Sequence, residues 1–361
     1  FKATPDVRTF GQLVGHVADS QARTCSTLNG ETKSLNASAK TSKAELVAAL
    51  KESFAMCDKA FDALVPENAI IEMLEPNKFV WSEGPVWDKA NKRLLFSDIP
   101  RNMAWQWSPT EGLKEFLKPS GYTGKEDFTG KEPGCNGLAF NKDGELLLCM
   151  HGDRRLAKLG KDGKFITLAD KYEGKRLNSP NDLTIKSNGD IYFTDPPYGL
   201  PKLMEDPNKE LKFQGVYRLT PKGELTLLTK EMTRPNGIGF SPDEKTLYVA
   251  QSDPAAPIWR AFEVLEDGTL GKDRVFYDST NEQKKYKKGL PDGLKVDASG
   301  NIFATGPGGV LVFDPDGTLL GVFETGEATA NCGWGDDGST LYICADMYIV
   351  RIRLTTKGKG W

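Results

Sequence analysis

The feature that most constrains the fold of this chain is a short motif that recurs at intervals of 39 to 56 residues. Each copy places one Glu, Asn or Asp in a turn next to Gly, Pro or another small residue, directly before an apolar run. The six polar positions are Glu83, Asn136, Asn181, Asn236, Asp292 and Asn331. Repeats of this length, each a turn followed by several short strands, are typical of β-propeller blades. Six copies therefore predict an all-β fold, a six-bladed β-propeller.

The charge and length of the chain restrict its domains and partners. Its 361 residues are enough for two domains, and we expect a helical segment at 1–66 followed by the propeller at 67–361. A formal net charge of −3 argues against a nucleic-acid or anionic-membrane partner. No apolar run approaches the ~20 residues of a membrane span. Because the chain begins at Phe1 rather than Met, we expect that a leader or another segment precedes it.

Two amphipathic helices are predicted before the propeller. Pro5 and Asp6 offer a helix start, and apolar residues from Phe10 onward recur every three to four positions. Ser42 and Glu45 form a capping box at the start of the second helix. Two such helices cannot close a core alone, so they must pack on the propeller, on a second copy of the chain or on a further helix. A homodimer through this segment is one expected outcome.

The helical segment resembles part of the DinB-like family of four-helix bundles. The resemblance rests on Thr4-Pro5-x-x-Arg8-Thr9-Phe10-Gly11-Gln12-Leu13-x-x-His16-x-Ala18-Asp19 and covers about two helices. In that family, the residue equivalent to His16 joins two later histidines on a metal. Those partners are absent here, since His151 is the only other histidine. We therefore expect His16 to lie in a contact between helices.

The cysteines predict one disulfide and an oxidising compartment. Cys25 lies about 17 residues into the first helix and Cys57 about 15 into the second, so they stand level only in parallel helices. The linker can span ~43 Å when extended, enough to return along a ~30 Å helix. We predict a Cys25–Cys57 disulfide, which implies a periplasmic or secreted protein. The pairs Cys135/Cys149 and Cys332/Cys344 are expected opposite each other in hairpins and to stay thiols, because cross-strand spacing exceeds that of a disulfide.

The ring of blades needs a closing strand. Hairpin turns follow the first strand of each repeat, as at Asn141-Lys142-Asp143-Gly144, and a second apolar run follows each turn. We expect residues 70–74 to supply the outer strand of the last blade, beside residues 349–353.

If the repeats are blades, their first strands line the central channel, and the six polar residues point at one axial spot. Two carboxylates and several amide carbonyls that converge on one point favour a hard cation such as calcium or magnesium. The alternative is that Asn and Asp merely make turns. Glu83 is a poor turn former, which argues for the metal interpretation.

The ordered motifs resemble the senescence marker protein/gluconolactonase family over residues 70–358. They are Glu83-Gly84-Pro85-Val86-Trp87, Leu94-Leu95-Phe96-Ser97-Asp98-Ile99, Pro180-Asn181-Asp182, Pro235-Asn236-Gly237 and Pro291-Asp292-Gly293. This resemblance implies a six-bladed propeller that hydrolyses a sugar lactone with a divalent metal, commonly calcium. Glu83, Asn236 and Asp292 match metal ligands, and Asn181 matches a residue that contacts substrate or metal. Asp292 also matches the residue assigned acid–base chemistry.

Other residues are candidates for contacts with a lactone or sugar acid. His151 could bind a substrate hydroxyl or move a proton, or it could brace a loop. Asn136 and Tyr198 are further candidates for the substrate wall, although a core position is the usual explanation for a tyrosine. The run 284–288, rich in lysine, is expected to be a solvated loop that could attract anionic sugar acids.

Three functions remain open at this point. The first is a metal-dependent lactonase acting on an aldonolactone, with Asp292 as acid–base group. The second is hydrolysis of another ester or phosphoester on the same metal ring, since fold alone does not fix function. The third is a non-catalytic module that binds a sugar acid or a protein.

Overall fold

Apolar runs separated by Gly, Asn and Asp turns form six four-stranded antiparallel sheets in the computed structural model, which describes residues 10–361. The expected helix start at Pro5 and Asp6, and the first part of the bundle-like motif, lie outside the described residues. The helices are α1 (Phe10–Leu28), α2 (Lys43–Leu64) and α3 (Thr280–Tyr286). The closing strand is β1 (Glu72–Glu75), and a separate hairpin between the second and third blades is formed by β10 (Lys171–Tyr172) and β11 (Lys175–Arg176). The strands of the first three blades are β2 (Ser82–Asp88), β3 (Arg93–Asp98), β4 (Met103–Ser108), β5 (Gly112–Leu117), β6 (Cys135–Phe140), β7 (Leu146–Met150), β8 (Arg155–Leu159), β9 (Phe165–Ala169), β12 (Leu183–Ile185), β13 (Ile191–Asp195), β14 (Gly215–Leu219) and β15 (Leu225–Thr229). The remaining strands are β16 (Pro235–Phe240), β17 (Thr246–Asp253), β18 (Ala256–Val264), β19 (Leu270–Asp278), β20 (Leu294–Val296), β21 (Ile302–Gly306), β22 (Gly309–Phe313), β23 (Leu319–Glu324), β24 (Thr329–Gly335), β25 (Thr340–Ala345) and β26 (Tyr348–Arg353).

The predicted six-bladed propeller is confirmed. Blades one to five are β2–β5, β6–β9, β12–β15, β16–β19 and β20–β23, and blade six is β24–β26 completed by β1. The first strands of neighbouring blades contact one another around the ring, so they form the inner wall. The closing strand pairs antiparallel with β26, as predicted, but it runs from Glu72 to Glu75 rather than from Ile70. The expected division at residue 66 falls between α2 and this strand.

The hairpin turns are stabilised by side chains that accept hydrogen bonds from backbone N–H groups of the turn. In the turn between β6 and β7, the Asn141 Oδ1 atom accepts hydrogen bonds from the backbone N–H groups of Asp143 (3.0 Å) and Glu145 (2.9 Å). Gly144 follows with a φ of 74°, a left-handed conformation that glycine adopts at little cost. Such turns hold each inner strand in register with the second strand behind it.

The core lies between the blades rather than in the channel. Between blades six and one, Trp87 stacks on Tyr342 with ring centroids 5.6 Å apart. Between blades five and six, Phe303 meets Trp334 edge to face at 5.0 Å. Each of these side chains is buried, a contribution of about 1.5–3 kcal/mol for a large apolar group. Because these contacts recur around the ring, the inner strands stand on a rigid frame.

The two N-terminal helices run parallel and carry the predicted disulfide. Cys25 and Cys57 are bonded, with their Cα atoms 4.9 Å apart. The Ser53 hydroxyl also donates to Gln21 Oε1 at 2.9 Å. Each of these residues lies four positions before the cysteine of its own helix. Because both contacts occur in the same order along the two helices, the helices run in the same direction. The Ser42 cap is also confirmed, because its Oγ atom accepts from the Glu45 N–H at 3.2 Å.

The helical pair packs on the outside of blades five and six. Phe61 lies 5.2 Å from Phe323 of β23, and the Thr355 N–H donates to the Leu64 carbonyl at 3.0 Å. His16 is exposed, so the expectation of a contact between helices was wrong; the buried residues of α1 include Ala18, Ala22 and Cys25 instead. The helices also expose four apolar side chains, Leu13, Val17, Val47 and Phe54. A homodimer through this surface stays a prediction.

The other four cysteines are buried thiols, as predicted. They are not directly opposite one another, however, because Cys135 pairs with Met150 and Cys332 pairs with Ile343. A shift of one residue turns the second cysteine of each pair to the other face of the sheet. The register therefore keeps these thiols apart. None of the helices within residues 10–361 is long and apolar enough to cross a membrane.

Candidate active site

The start of each inner strand brings one polar residue of the repeat to the same end of the channel. Glu83, Asn136, Asn236 and Asn331 lie in β2, β6, β16 and β24, and Asn181 and Asp292 lie two residues before β12 and β20. Five of these side chains are almost fully buried, and Asp292 is partly exposed. The repeat thus predicted the ring, because equal positions in equal blades converge on the axis.

Glycine follows the polar residue in most blades because the inner strands approach closely. A Cβ atom on Gly84 would come within 2.1 Å of the Asn136 carbonyl oxygen in the next blade. A Cβ atom on Gly237 would meet the Asp292 carbonyl oxygen at the same distance. The motif therefore contains glycine because neighbouring inner strands are too close, at the level of the polar side chains, to leave room for a Cβ atom.

Buried hydroxyl groups on the second strands tie one blade to the next. Ser97 donates to the Asn136 carbonyl at 2.8 Å, and Thr194 donates to the Asn236 carbonyl at 2.8 Å. Thr305 does the same for the Ala330 carbonyl, also at 2.8 Å. We call these three residues the hydroxyl belt. Because each bond crosses a blade boundary, the belt fixes the spacing of the polar residues around the axis.

A cavity of about 400 Å³ opens at this end of the channel. Its lining includes five of the six polar residues, with Asn331 as the exception. Tyr198 also lines it, as expected for a residue of the substrate wall. The further lining residues are Trp81, Ile99, Glu132, Arg234, Ser252, Pro254, Gln283, Lys287, Gly289, Leu290, Ala328 and Thr329.

Four oxygen atoms of residues that line this cavity are buried without a hydrogen-bond donor among the described residues. They are Oδ1 of Asn136, Asn181, Asn236 and Asp292. A buried oxygen that lacks a donor costs roughly 1–3 kcal/mol, and native proteins hold few of them. Four in one cavity indicate that these atoms serve a ligand that accepts electron pairs.

The amide nitrogen of two of these asparagines is held from behind. Asn236 Nδ2 donates to the Ser252 hydroxyl at 3.0 Å. Asn181 Nδ2 lies 3.5 Å from His151 Nε2, at the long end of the hydrogen-bond range. Each contact fixes which end of the amide is the nitrogen, and so turns the carbonyl oxygen toward the cavity.

Two carboxyl side chains, the buried Glu83 and the partly exposed Asp292, line the same cavity. Burial raises the pKa of Asp292 well above the usual range of a carboxyl group, and the nearby Glu83 adds to the rise. Burial likewise raises the pKa of Glu83, and Asp182 adds to it. Glu83 Oε2 accepts from the Gly84 N–H at 2.6 Å and from Asn331 Nδ2 at 3.0 Å. This arrangement is unfavourable for two anions alone and favourable for two anions that share a cation.

Asn331, the weakest copy of the motif, has a different role from its five equivalents. Its Nδ2 atom donates to Glu83, and its Oδ1 atom accepts from the Cys332 N–H at 2.9 Å and from Lys295 at 3.3 Å. Because all its polar atoms are used inside the channel, the side chain lies behind Glu83 and outside the cavity lining.

His151 does not line the cavity, so of the two roles left open for it the structure favours bracing a loop over a contact with substrate. The side chain is fully buried behind Asn181, and its Nδ1 atom lies 3.1 Å from Glu132 Oε2. The loop after β7 is drawn inward because the His151 N–H donates to the Gly134 carbonyl at 3.2 Å. Glu132, which the sequence did not single out, is the residue of this pair that reaches the cavity.

The run 284–288 also differs from expectation, since most of it belongs to α3 rather than to a loop. This helix brings Gln283 and Lys287 to the cavity.

Arg234 is a second cation there, and neither Arg234 nor Lys287 forms an ion pair with a described residue. Sequence spacing could have found Arg234: it stands two residues before Asn236, as Trp81, Leu290 and Thr329 stand two before Glu83, Asp292 and Asn331. Residues two apart on a strand share one face.

The donor set fits a hard divalent cation. Within the described part of the chain there is no cluster of three or more His, Cys, Asp or Glu side chains that could hold a metal. A cation at this site would therefore be bound by Glu83 and Asp292 together with amide oxygens. An all-oxygen set of this kind suits calcium or magnesium and is a poor match for softer metals.

Comparisons with known proteins agree with this fold and site. Residues 81–346 match the family model described as the SMP-30/Gluconolactonase/LRE-like region. The chain is 42% identical over 308 residues to a gluconolactonase of Zymomonas mobilis, covering 82% of this chain and 85% of that protein. It is 28% identical to a pentonolactonase of Haloferax volcanii, covering 72% and 80%.

Among solved structures, a gluconolactonase from Xanthomonas campestris superimposes with a TM-score of 0.70 at 33% identity, covering 82% of this chain and 92% of that one. The family match runs from Trp81, just before β2 of the first blade, to Asp346, between β25 and β26 of the last blade. The chain therefore belongs to the SMP-30/gluconolactonase/LRE-like family.

Proposed function

We propose that this protein is a lactonase that opens an aldonolactone at a divalent-cation site formed by Glu83, Asn181, Asn236 and Asp292. The observation that carries the proposal is the group of buried oxygens without donors, of which three belong to these residues. The relatives named gluconolactonase and pentonolactonase support lactone hydrolysis as the reaction. The cation and the roles of the residues rest on the geometry alone.

Calcium is the cation that we favour. It accepts six to eight oxygen ligands, including carboxylates and amide carbonyls, in flexible geometry. The site offers two carboxylates and two or three amide oxygens, and water or substrate oxygens would complete the shell. Magnesium demands a stricter octahedral arrangement and usually keeps several waters, so it is the second choice.

The reaction needs a polarised carbonyl, an attacking water and an acceptor for the proton of that water. A divalent cation held by Glu83, Asn181, Asn236 and Asp292 would supply polarisation of the lactone carbonyl and a lower pKa for a nearby water. Asp292 lines the cavity, so one of its carboxylate oxygens would bind the cation while the other accepts the proton of the attacking water. After ring opening, the same carboxyl group can return the proton to the alcohol that leaves.

His151 is a positioning residue in this scheme. It stands behind Asn181 and beside Glu132, without a place in the cavity lining. If its Nδ1 atom carries the proton toward Glu132, its Nε2 atom can accept from the Asn181 amide. The imidazole would then keep the Asn181 oxygen directed at the cation, which is a common task of residues behind metal ligands.

The part of the cavity that the cation leaves free would bind the sugar. Tyr198 and Asn136 line it beside the proposed cation ligands, and both can exchange hydrogen bonds with hydroxyl groups. Burial raises the pKa of the Tyr198 hydroxyl, and Asp292 adds to the rise, so this group stays a protonated donor. A cavity of about 400 Å³ has room for a six-carbon lactone with water.

The experiment that tests the proposal measures proton release from gluconolactone and galactonolactone with and without EDTA. We expect hydrolysis above the spontaneous rate, its loss in EDTA and its return with added calcium. An aryl ester and an aryl phosphate serve as the comparison substrates. Turnover of either of these without turnover of a lactone would replace the proposal by the ester or phosphoester alternative.

The disulfide between Cys25 and Cys57 supports a location in an oxidising compartment, the periplasm or the exterior. The four thiols of the propeller are buried and spaced away from one another, so the bonded pair is specific to the helical segment. We propose this location together with the function.

A further inference from the structure

Ser252 occupies an unusual place between two of the proposed cation ligands. It lies in β17, is 6% exposed and lines the cavity. Its hydroxyl accepts a hydrogen bond from Asn236 Nδ2 at 3.0 Å and donates one to the carbonyl of Pro291, the residue before Asp292. One hydroxyl group therefore touches the side chain of one ligand and the backbone that carries another.

The register of the fourth blade explains why this serine reaches the cavity. In the fourth blade, Gln251 pairs with Pro235, the residue before Asn236. In the first blade, Asp98 pairs with Ser82, the residue before Glu83. Ala250 therefore holds the position in the fourth blade that Ser97 holds in the first. The fourth blade thus lacks the belt hydroxyl at that position. Ser252 stands two residues further on the same face, one step closer to the open end of the channel. Ser252 forms a hydrogen bond to the next blade as the residues of the hydroxyl belt do, but it also contacts the side chain of Asn236, a proposed cation ligand.

We propose that Ser252 is a positioning residue that sets the orientation of two neighbouring cation ligands at once. The inference rests on the proposed function, since it assigns the serine a part in the same cation site. Asn236 is the ligand held through its side chain, and Asp292 is the ligand held through the preceding carbonyl group. The Ser252 hydroxyl also interacts with the Tyr198 side chain, so the proposed role is measured as cation affinity in the absence of substrate.

The physical reason is the near symmetry of an amide. Rotation of the Asn236 side chain by half a turn exchanges its oxygen for an NH2 group, which cannot bind a cation. Asn236 Oδ1 has no donor among the described residues, so the contact with Ser252 is what distinguishes the two orientations. Without the hydroxyl, the NH2 group would also lose its acceptor in a buried place.

The test is calcium titration calorimetry on the full chain, with three variants. Ser252→Ala removes the hydroxyl, and Ser252→Thr keeps it on a residue that suits a strand. Ser97→Ala is the matched control, because it deletes a buried hydroxyl that bridges to the backbone of the next blade without touching a ligand side chain. Thermal unfolding of each calcium-free variant reports the purely structural cost.

We expect Ser252→Ala to weaken calcium binding about 10-fold or more, as losses behind metal ligands do. Ser97→Ala should lose stability to a similar degree but keep calcium affinity within about 3-fold. Ser252→Thr should restore affinity to within about 3-fold of the original protein. The same order should appear in the calcium concentration needed for half-maximal turnover.

Three results would overturn the inference, and they differ from one another. If the original protein binds calcium and Ser252→Ala binds it equally well, Ser252 is only a structural bridge and the proposed function stands. If the original protein and all variants bind no calcium while lactone is hydrolysed, the cation site itself is wrong and this inference falls with it. Equal weakening by Ser252→Ala and Ser97→Ala would also reject a specific role.

Discussion

Asn331 Nδ2 lies 3.0 Å from Glu83 Oε2 and joins the last blade of the ring to the first at the level of the proposed cation site. Asn331 also accepts from Lys295, so it separates a carboxylate from an ammonium group inside the channel. Asn331, which looks like a sixth ligand in the sequence, therefore supports the proposed ligand Glu83 instead.

Replacement of Asn331 by leucine should destabilise the protein by about 1–3 kcal/mol, because Glu83 and Lys295 each lose a buried partner. Urea unfolding in calcium-free buffer measures the change. Asn281→Leu, at an exposed position of α3, is the control and should alter stability by less than ~0.5 kcal/mol. Equal stability of the two variants would show that the bridge to Glu83 carries no free energy.

Asp292→Asn should separate cation binding from proton transfer. The asparagine keeps the shape and one ligand oxygen, so calcium should still bind at raised concentration, while turnover falls by ~10²-fold or more. His151→Gln keeps a hydrogen-bonding group behind Asn181 and should retain most of the activity. The assignment fails if calcium-saturated Asp292→Asn works at nearly the original rate while His151→Ala is inactive.

Arg234 and Lys287 should bind the carboxylate of a sugar acid at the mouth of the cavity. Neither has an ion-pair partner among the described residues, and an interaction with a charged group is worth about 1.5–3 kcal/mol before solvent exposure reduces it. Arg234→Gln should therefore raise the inhibition constant of gluconate ~10-fold, and its effect should shrink in high salt. Lys284→Gln, on the same helix as Gln283 but outside the cavity lining, should leave that constant unchanged.

Asp195 should make stability depend on pH between about pH 4 and pH 7. Burial raises the pKa of Asp195 in the folded protein to about 7. The backbone N–H groups of Asn178 and Ser179 donate to this carboxylate and lower its pKa, but their effect is smaller than that of burial. Since the unfolded carboxyl group loses its proton near pH 4, the folded state binds more protons in this interval, and stability falls as pH rises. Asp195→Asn should flatten this slope in urea unfolding at pH 4.5 and 7. An unchanged slope would mean that another group causes it.

The disulfide should stabilise the helical segment without affecting the cation site. It closes a loop with a sequence separation of 32, for which a stabilisation of about 2–4 kcal/mol is typical. Cys25→Ser should lower the unfolding temperature of the helices and leave calcium affinity unchanged. Mass spectrometry on protein from its native host should find Cys25 and Cys57 protected from alkylation until reduction. Alkylation of both without reduction would contradict the bond and the oxidising compartment.

The ring of polar residues could be predicted from the sequence because it depends on a repeat. Glu83, Asn136, Asn181, Asn236 and Asp292 hold equal places in equal blades, and all five line one cavity. The disulfide could be predicted because the length of a helix and the reach of a linker are fixed by geometry.

The positions of His151, Asn331 and Lys287 could not be read from the repeat. His151 is buried by hydrogen bonds that its own loop makes with Gly134, and Asn331 is drawn inward by Lys295. Lys287 reaches the cavity only because α3 replaces an expected loop. Each of these side chains depends on contacts that one blade makes alone, and a repeat carries no information about them.

The most direct test of the cation-dependent lactonase compares two curves on the same metal-free protein. Calorimetry gives the binding isotherm for calcium, and proton release from gluconolactone gives turnover at each calcium concentration. We expect one bound calcium per chain, no turnover above the spontaneous rate without it, and superimposable curves that both shift to higher calcium in Glu83→Gln. Full turnover by protein whose metal content is verified as zero would contradict it.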